Sequence, residues 1–362
     1  MISLLSRQSR SRLSHRIALL ALFSAFTFTT TAPRAKMHII LDFDGTITAN
    51  DTIGVLAASA VSFQTQRDSQ SGGTGVDWDA RWKRVVDDYL ADHQRHTASY
   101  TPTEPSRTTL EHELDYLRSL RDVDYGSIRA LYDAGLFRGM APHRLAEAGQ
   151  VAVQAGGSDG VRVRPGFSEF LSEVATRQKW PVSIVSVNWS DAWIRGVVST
   201  QTKGDERIAD DVKIYTNKIS ESGAIVSNYE RVGAEDTASP VSSCLDKLEA
   251  LKVAAVNAAQ LSATIGINEP VVYMGDSTTD LECLIHAGQG DRGGGGIVLA
   301  DGDGRATSKL LKALARLGYN VPHVSETEKG RFRETKTAAN DAGPRLAWAR
   351  DFDEIMASQI LG

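Results

Sequence analysis

Asp42 and Asp44 stand two residues apart in LDFDGT, and Asp276 and Asp280 stand four apart in GDSTTD. Two carboxylates as close as the first pair cannot both stay ionised without a cation or a shared proton. The motif therefore asks for a divalent metal, for proton transfer, or for both. Gly45 follows and lets the chain loop away, so that the two acids converge at the end of a short apolar run. In the second pair, Asp276 sits at the tip of the apolar run 271–274, and Asp280 about one turn later, near a helix start. That suits one metal ligand and one supporting acid. Hard oxygen donors with few histidines select Mg²⁺ over zinc. Cys283 and His286 have a spacing seen in zinc sites but no second pair, so they read as a packed cysteine and a helix-end histidine. Ser186, closing PVSIVS, offers a hydroxyl beside loop backbone, where it can hold a phosphoryl oxygen. Lys247, in SSCLDKLEAL, lies near the start of a helix, and Lys252 is the poorer alternative further in.

These residues need a scaffold that brings distant segments together. Residues 39–41, 181–187, 270–274 and 297–300 are short, apolar and β-rich, and read as buried strands. Helical stretches follow at 190–200, 245–261, 278–287 and 309–317, with another at 167–177. From residue 161 on, strands and helices alternate. The fold class is therefore α/β: a Rossmann-like, mostly parallel sheet with helices on both faces. Such sheets place ligands outside the C-terminal ends of the strands, which is where the first acids fall. Two further short strands are expected at 212–215 and 224–226, around a Ser/Gly turn. The Gly-rich stretch 288–296 lacks the order of a dinucleotide fingerprint and reads as a flexible loop. Residues 327–343 read as polar and mobile, and 346–361 as a closing helix.

Strand signals are weak between 52 and 155. Helices are expected at 52–61, 77–93, 110–120, 128–137 and 142–153, with a polar loop at 66–75 and a break at 97–107, which holds two prolines. Asp77 or Asp79 would cap the second of them. The aromatic residues of this all-helical insert read as packing.

In this order, DFDGT, the strand-end Ser186, Lys247 and GDSTTD resemble the four motifs of the haloacid dehalogenase-like (HAD) phosphatases. The resemblance covers roughly 37–300. It implies a discontinuous core, 37–51 with 156–362, and a C1-type helical cap at 52–155. By this resemblance Asp42 is the nucleophile that forms an aspartyl-phosphate, and Asp44 protonates the leaving alcohol and then activates water. Lys247 neutralises charge. A Mg²⁺ ion is held by Asp42, the Asp44 backbone carbonyl and Asp276, with Asp280 orienting metal-bound water or Lys247 and Thr46 holding the loop. Asp44 separates a phosphatase from a dehalogenase, which needs no acid there. The insert, and Asp51 nine residues after Asp42, look most like the phosphoserine phosphatase-like branch, in which an acid near this position faces the substrate. Ser186, Asn188 and Asp51 are then the candidate substrate-binding residues. The chain departs from that branch at Val187, Asn188 and Trp189, where glycines usually stand, and at Ser277 and Thr279. Trp189 would reshape the pocket, so the resemblance does not fix the substrate. The implied activity is hydrolysis of a small phosphate monoester. Transfer of phosphate to another alcohol, or a non-catalytic binding module on the same fold, are the alternatives.

Composition bounds the rest. The 362-residue chain carries a net charge of −5. Its first 36 residues hold six basic side chains and no acid, and subtracting those six charges leaves −11 for the remainder. An acidic body gives no reason to expect a nucleic-acid partner. Two cysteines, Cys244 and Cys283, make no disulfide framework. The apolar stretch 17–28 is too short for a stable membrane span. Residues 1–36 read as a mitochondrial presequence, a secretory signal, or an unused extension before Met37. Cytoplasmic or mitochondrial residence is expected ahead of secretion. Oligomeric state leaves no mark in the sequence.

Overall fold

The computed structural model describes residues 36–73, 75–157, 159–202, 204–230, 239–263, 269–290, 293–335 and 343–362. The leader reading of 1–36 falls almost wholly outside them. Among the described residues no helix is long and apolar enough to cross a membrane.

The first strand, β1 (His38–Leu41), is followed by five helices: α1 (Ile53–Gln70), α2 (Trp78–Ser99), α3 (Leu110–Ser119), α4 (Arg121–Ala134) and α5 (Pro142–Ala155). Then come α6 (Phe167–Leu171), continued by a π-helical turn, β2 (Val182–Val185), α7 (Asp191–Ser199), α8 (Glu206–Asp211), β3 (Lys213–Tyr215), β4 (Asn217–Ile219) and β5 (Ile225–Ser227). The chain continues through α9 (Cys244–Ala263), β6 (Val271–Gly275), α10 (Leu281–Gln289), β7 (Gly295–Leu299), α11 (Gly304–Thr307) and α12 (Lys309–Arg316). It ends in β8 (Leu346–Ala349) and α13 (Phe352–Ser358).

Six strands form one parallel sheet in the order β3-β2-β1-β6-β7-β8. The order reverses at β1, between β2 and β6, and such a reversal opens a crevice beyond the strand ends. Each strand alternates between two apolar layers. Ile39, Leu41, Val182, Ile184, Val272, Met274, Ile297 and Leu299 pack with α6, α7 and α13. Ile40, Val185, Tyr273 and Val298 pack with α9, α10 and α12. This is the α/β, Rossmann-like architecture read from the sequence.

Three expectations are corrected. Residues 346–361 are not one helix. They are β8, paired in parallel with β7, and then α13, whose N-cap is Asp351 accepting from Glu354 N at 2.9 Å. A four-residue run, all buried, that meets an open strand edge takes strand form whatever its helical periodicity. Second, the glycines of 288–296 are not a plain flexible insertion. Gly295 and Gly296 begin β7, and a Cβ on them would strike Phe332 at 2.4 Å and Leu346 at 2.7 Å. Glycine is there for close packing. Phe332 and Thr335 are likewise buried, so the first part of 327–343 is packed; 336–342 lie outside the described residues. Third, the strand near 213 joins the main sheet, and the Ser/Gly turn instead joins β4 to β5, a strand pair whose first member the sequence reading missed.

The helical segment shares both apolar layers. Leu56, Ala60, Val85 and Leu131 belong to the first and Leu114 and Leu117 to the second. Helix α1 runs on to Gln70, through part of the expected loop. The segment is also tied to the core by charge: buried Glu113 accepts from Arg107 Nε at 2.8 Å and from Arg316 Nη2 at 2.6 Å. Helices α5 and α7 cross very closely. A Cβ on Gly196 would lie 2.1 Å from the Ala146 carbonyl oxygen, and one on Gly149 2.6 Å from that of Trp193. Backbone cannot yield there as a side-chain tip can. Gly196→Ala is therefore expected to destabilise the protein by roughly 1–3 kcal/mol, the usual cost of overpacking. Denaturant unfolding would show it as a lower midpoint with an unchanged slope, and an unchanged midpoint would contradict it.

Candidate active site

β1, β2 and β6 are neighbours, so their C-terminal tips carry Asp42, Ser186 and Asp276 to one place. Asp42 N donates to Met274 O at 2.8 Å, extending the ladder by one residue. After Phe43 the chain turns: the amides of Thr46, Ile47 and Thr48 all point to the Phe43 carbonyl. Gly45 stands in the turn at φ +74°, and a Cβ there would lie 2.1 Å from Asp276 Oδ2. Only glycine combines that backbone with that approach.

Lys247, one turn into α9, is fully buried. Its Nζ lies 2.9 Å from Asp42 Oδ2, 2.7 Å from Asp280 Oδ1 and 3.2 Å from Thr279 Oγ1. Burial pulls the ammonium down, but the Asp280 and Asp42 carboxylates carry its pKa above the ordinary lysine value. Asp280 is also buried. Oδ1 accepts from Lys247 and from Tyr273 Oη at 2.6 Å, while Oδ2 accepts from the Asp276 and Ser277 amides and the Ser277 hydroxyl at 3.0–3.2 Å. Both oxygens are thus occupied by the protein.

Asp42 and Asp276 differ from it. Asp42 Oδ1 is buried with no hydrogen-bond partner. Burial, then Asp280, holds the Asp42 carboxyl well above the usual range against the pull of Lys247. Burial and Asp280 also push Asp276 up to about 7, although Thr46 Oγ1 donates to its Oδ1 at 3.0 Å. Oxygens of Asp42, Asp276 and Asp280 fall within 4.8 Å of one another, a group that can hold a metal ion. The unpartnered oxygen and the elevated pKa values fit a divalent cation there, with Asp42 and Asp276 offering free donor capacity and Asp280 none.

Asp44 faces away from this cluster. Its Oδ1 accepts from Thr52 N at 2.8 Å and Thr52 Oγ1 at 2.6 Å, and its Oδ2 from Asn188 Nδ2 at 2.7 Å. Burial, then the Asp51 charge, raises it to about 6 against those bonds. Within the expected metal set, only its backbone carbonyl is left for a metal. Asn188, expected to touch substrate, is fully buried and spends its amide on Asp44 and, through Oδ1, on Ser190 N at 3.2 Å. It holds an acid in place. Ser186 is buried too, its Oγ accepting from Asn188 N at 3.1 Å. Asp51 is exposed, caps Ile53 N at 2.7 Å, and lines a cavity shared with α2 and α4.

Three residues escaped the sequence reading. Thr52, at the N-cap of α1, links Asp44 to the buried Trp193, whose Nε1 donates to Thr52 Oγ1 at 3.1 Å. Arg164 is buried and grips the turn after Asp42: Nη2 donates to Gly45 O at 2.5 Å and Nε to Thr46 O at 3.1 Å, while Nη1 reaches Asp301 and Arg350 O. Asp246 caps α9 by accepting from the Ser242 and Ser243 amides, both at 3.1 Å. The capping box-like spacing of Ser243 and Asp246 was a usable signal. For Arg164 there was none, because its partners lie on other elements.

The four motif segments meet as the resemblance to the HAD phosphatases implied: three at neighbouring strand tips, and Lys247 on α9. No family model matches the chain. A CTO1 family protein of Schizosaccharomyces pombe is 25% identical over 253 residues, covering 68% of this chain and 78% of the relative. Cold tolerance protein 1 of Saccharomyces cerevisiae is 23% identical over 262 residues, 69% and 76%. Among solved structures, a phosphoserine phosphatase with a phospho-aspartyl intermediate analogue is similar, with TM-score 0.36 and 18% identity over 77% of this chain and 90% of that one. Scores of that size assign no residue a role.

Gly45→Ala must displace the Asp276 carboxylate or the turn. It is expected to weaken divalent-cation binding roughly 10–100-fold, the usual effect of disturbing a ligand's support. Titration calorimetry with Mg²⁺ and Mn²⁺ measures this, and unchanged affinity would remove Asp276 from the cation site.

Proposed function

We propose that this chain is a Mg²⁺-dependent phosphatase that hydrolyses a small phosphate monoester through an aspartyl-phosphate on Asp42. One observation carries the reading. Two carboxylates two residues apart are held in different environments: Asp42 against Lys247 with one oxygen unpartnered, and Asp44 apart from the cluster among Thr52 and Asn188. Two acids separated in this way can take two roles, nucleophile and acid–base.

In this proposal Asp42, the Asp44 carbonyl and Asp276 would hold the ion, which when bound would offset the negative charge of the phosphoryl oxygens. Lys247 adds a fixed positive charge where negative charge gathers. The Asp42 carboxylate attacks phosphorus as the phosphorus–oxygen bond to the alcohol breaks, and Asp44 delivers its proton to the leaving oxygen. Asp44, now ionised, takes a proton from water. That water attacks phosphorus, breaks the bond to Asp42 and leaves inorganic phosphate. A raised pKa for Asp44 supports both halves, because the group must hold a proton in one step and accept one in the next. The Thr52 and Asn188 bonds would fix its direction. Arg164 and the Gly45 turn would keep Asp42 in line. Helices α1–α5 are read as the cap that covers the site, with α2 and α4 lining the cavity next to it.

Phosphate release by the full chain from a panel of phosphorylated metabolites and p-nitrophenyl phosphate, with Mg²⁺ and with EDTA, tests the proposal. Asp42→Asn is expected to lower turnover by at least about 10⁴-fold, as loss of a covalent nucleophile does. An Asp42→Asn protein that keeps wild-type turnover would refute it.

A further inference from the structure

Beside the residues that hold Asp44 lies a cavity of ≈ 480 Å³. It opens next to the proposed chemistry, since it includes Val187, between Ser186 and Asn188, and Asp51, next to Thr52. Its wall is aromatic and aliphatic: Trp82, Tyr89 and Trp189 stand among valines, leucines and isoleucines. Trp189 is held edge-on by Trp82, centroids 6.3 Å apart, and by Phe137 at 5.9 Å, so its position is fixed from two sides. The charged groups in that wall are both acids, Asp51 and Asp124; among the described lining residues there is no lysine, arginine or histidine. Among the described residues neither acid has an ion-pair partner, and the Tyr89 hydroxyl near Asp124 supplies no charge.

Asp124 is the less comfortable of the two. Burial, then the charge of the nearby buried Asp246, pushes it up to about 7 even with the Tyr89 hydroxyl nearby. A carboxylate so placed gains from a cation arriving beside it. The aromatic rings that share the cavity wall with it favour the same kind of group, for a desolvated cation over an aromatic ring is favourable. A second anionic group on a ligand would find no partner in this wall and would stand against two carboxylates. That counts against phosphoserine, whose carboxylate needs a cation, and against bisphosphates and sugar acids.

We propose that the leaving group seated in this cavity is a cationic, apolar-bodied alcohol. It carries a protonated or quaternary nitrogen near Asp124 and the Trp82–Tyr89–Trp189 wall, and no anionic group besides the phosphate. This rests on the phosphatase reading for the position of the ester, while Asp124 and the aromatic wall carry the choice of substrate.

The test uses the full chain with Mg²⁺. Thiamine monophosphate and phosphocholine serve as cationic esters, p-nitrophenyl phosphate as the ester of an uncharged alcohol, and O-phosphoserine and fructose 1,6-bisphosphate as doubly anionic ones. The cationic pair is expected to have the highest kcat/KM. Asp124→Asn is expected to lower the ratio of their kcat/KM to that of p-nitrophenyl phosphate by about tenfold, the order of one desolvated cation contact. Trp82→Leu, which takes one aromatic ring out of the wall, gives a second variant if Asp124→Asn does not fold, and should lower the same ratio. Preference for a doubly anionic ester, or an unchanged ratio in folded variants, overturns the proposal. If no ester is turned over, the phosphatase reading fails, and the cavity is judged by calorimetry with thiamine and choline alone. Binding of either that weakens in Asp124→Asn supports the cation site, and no binding of either overturns it.

Discussion

Everything at the strand tips depends on one buried ammonium among three buried or half-buried carboxylates. Lys247 compensates Asp280 and one oxygen of Asp42. Asp276 is only partly offset, by the more distant Lys247 and Arg164 charges and the Thr46 bond, and the other Asp42 oxygen has no hydrogen-bond partner. Desolvating charges is costly, and pairing offsets that cost only where the remaining valences are also filled. Asp280 meets that condition, with Tyr273, two amides and Ser277 around it. It is a fixed anchor for the lysine. Asp42 and Asp276 do not meet it, and the excess of negative charge there is what a hard cation would relieve.

The scaffold fixes this cluster from three directions. β1 has a neighbour on either side, so its tip cannot move without β2 and β6. Arg164 holds the following turn through the carbonyls of Gly45 and Thr46, and is itself held by Asp301, at the end of β7, and the Arg350 carbonyl, at the end of β8. The C-terminal segment, remote in sequence, thereby reaches the loop that carries Asp44. A guanidinium suits the task because its donors form a rigid fork and keep their charge when buried.

Asp44 belongs to a second network. Thr52 at the start of α1, Asn188 after β2 and Trp193 on α7 form a buried chain around it. The helical segment therefore supplies part of the environment of an acid carried on the β1 loop. Any displacement of α1 would be felt there. The apolar layers shared between helices and sheet, and the glycine-mediated crossing of α5 on α7, oppose such displacement.

The sequence by itself determined the α/β class, the helical nature of 52–155 and the candidates Asp42, Asp44, Lys247, Asp276 and Asp280. Those features are local: an apolar run, a glycine turn, a helical period, an acid at a strand tip. Tertiary structure decided what local pattern cannot encode. Residues 346–349 became a strand because β7 had an open edge to pair with. The glycines before β7 proved to be contact points because Phe332 and Leu346 arrive from elsewhere. Asn188, a candidate substrate contact, is also a support of Asp44, and Arg164 grips the turn. Each of these depends on partners many residues away, and only the folded chain brings those partners within hydrogen-bonding reach.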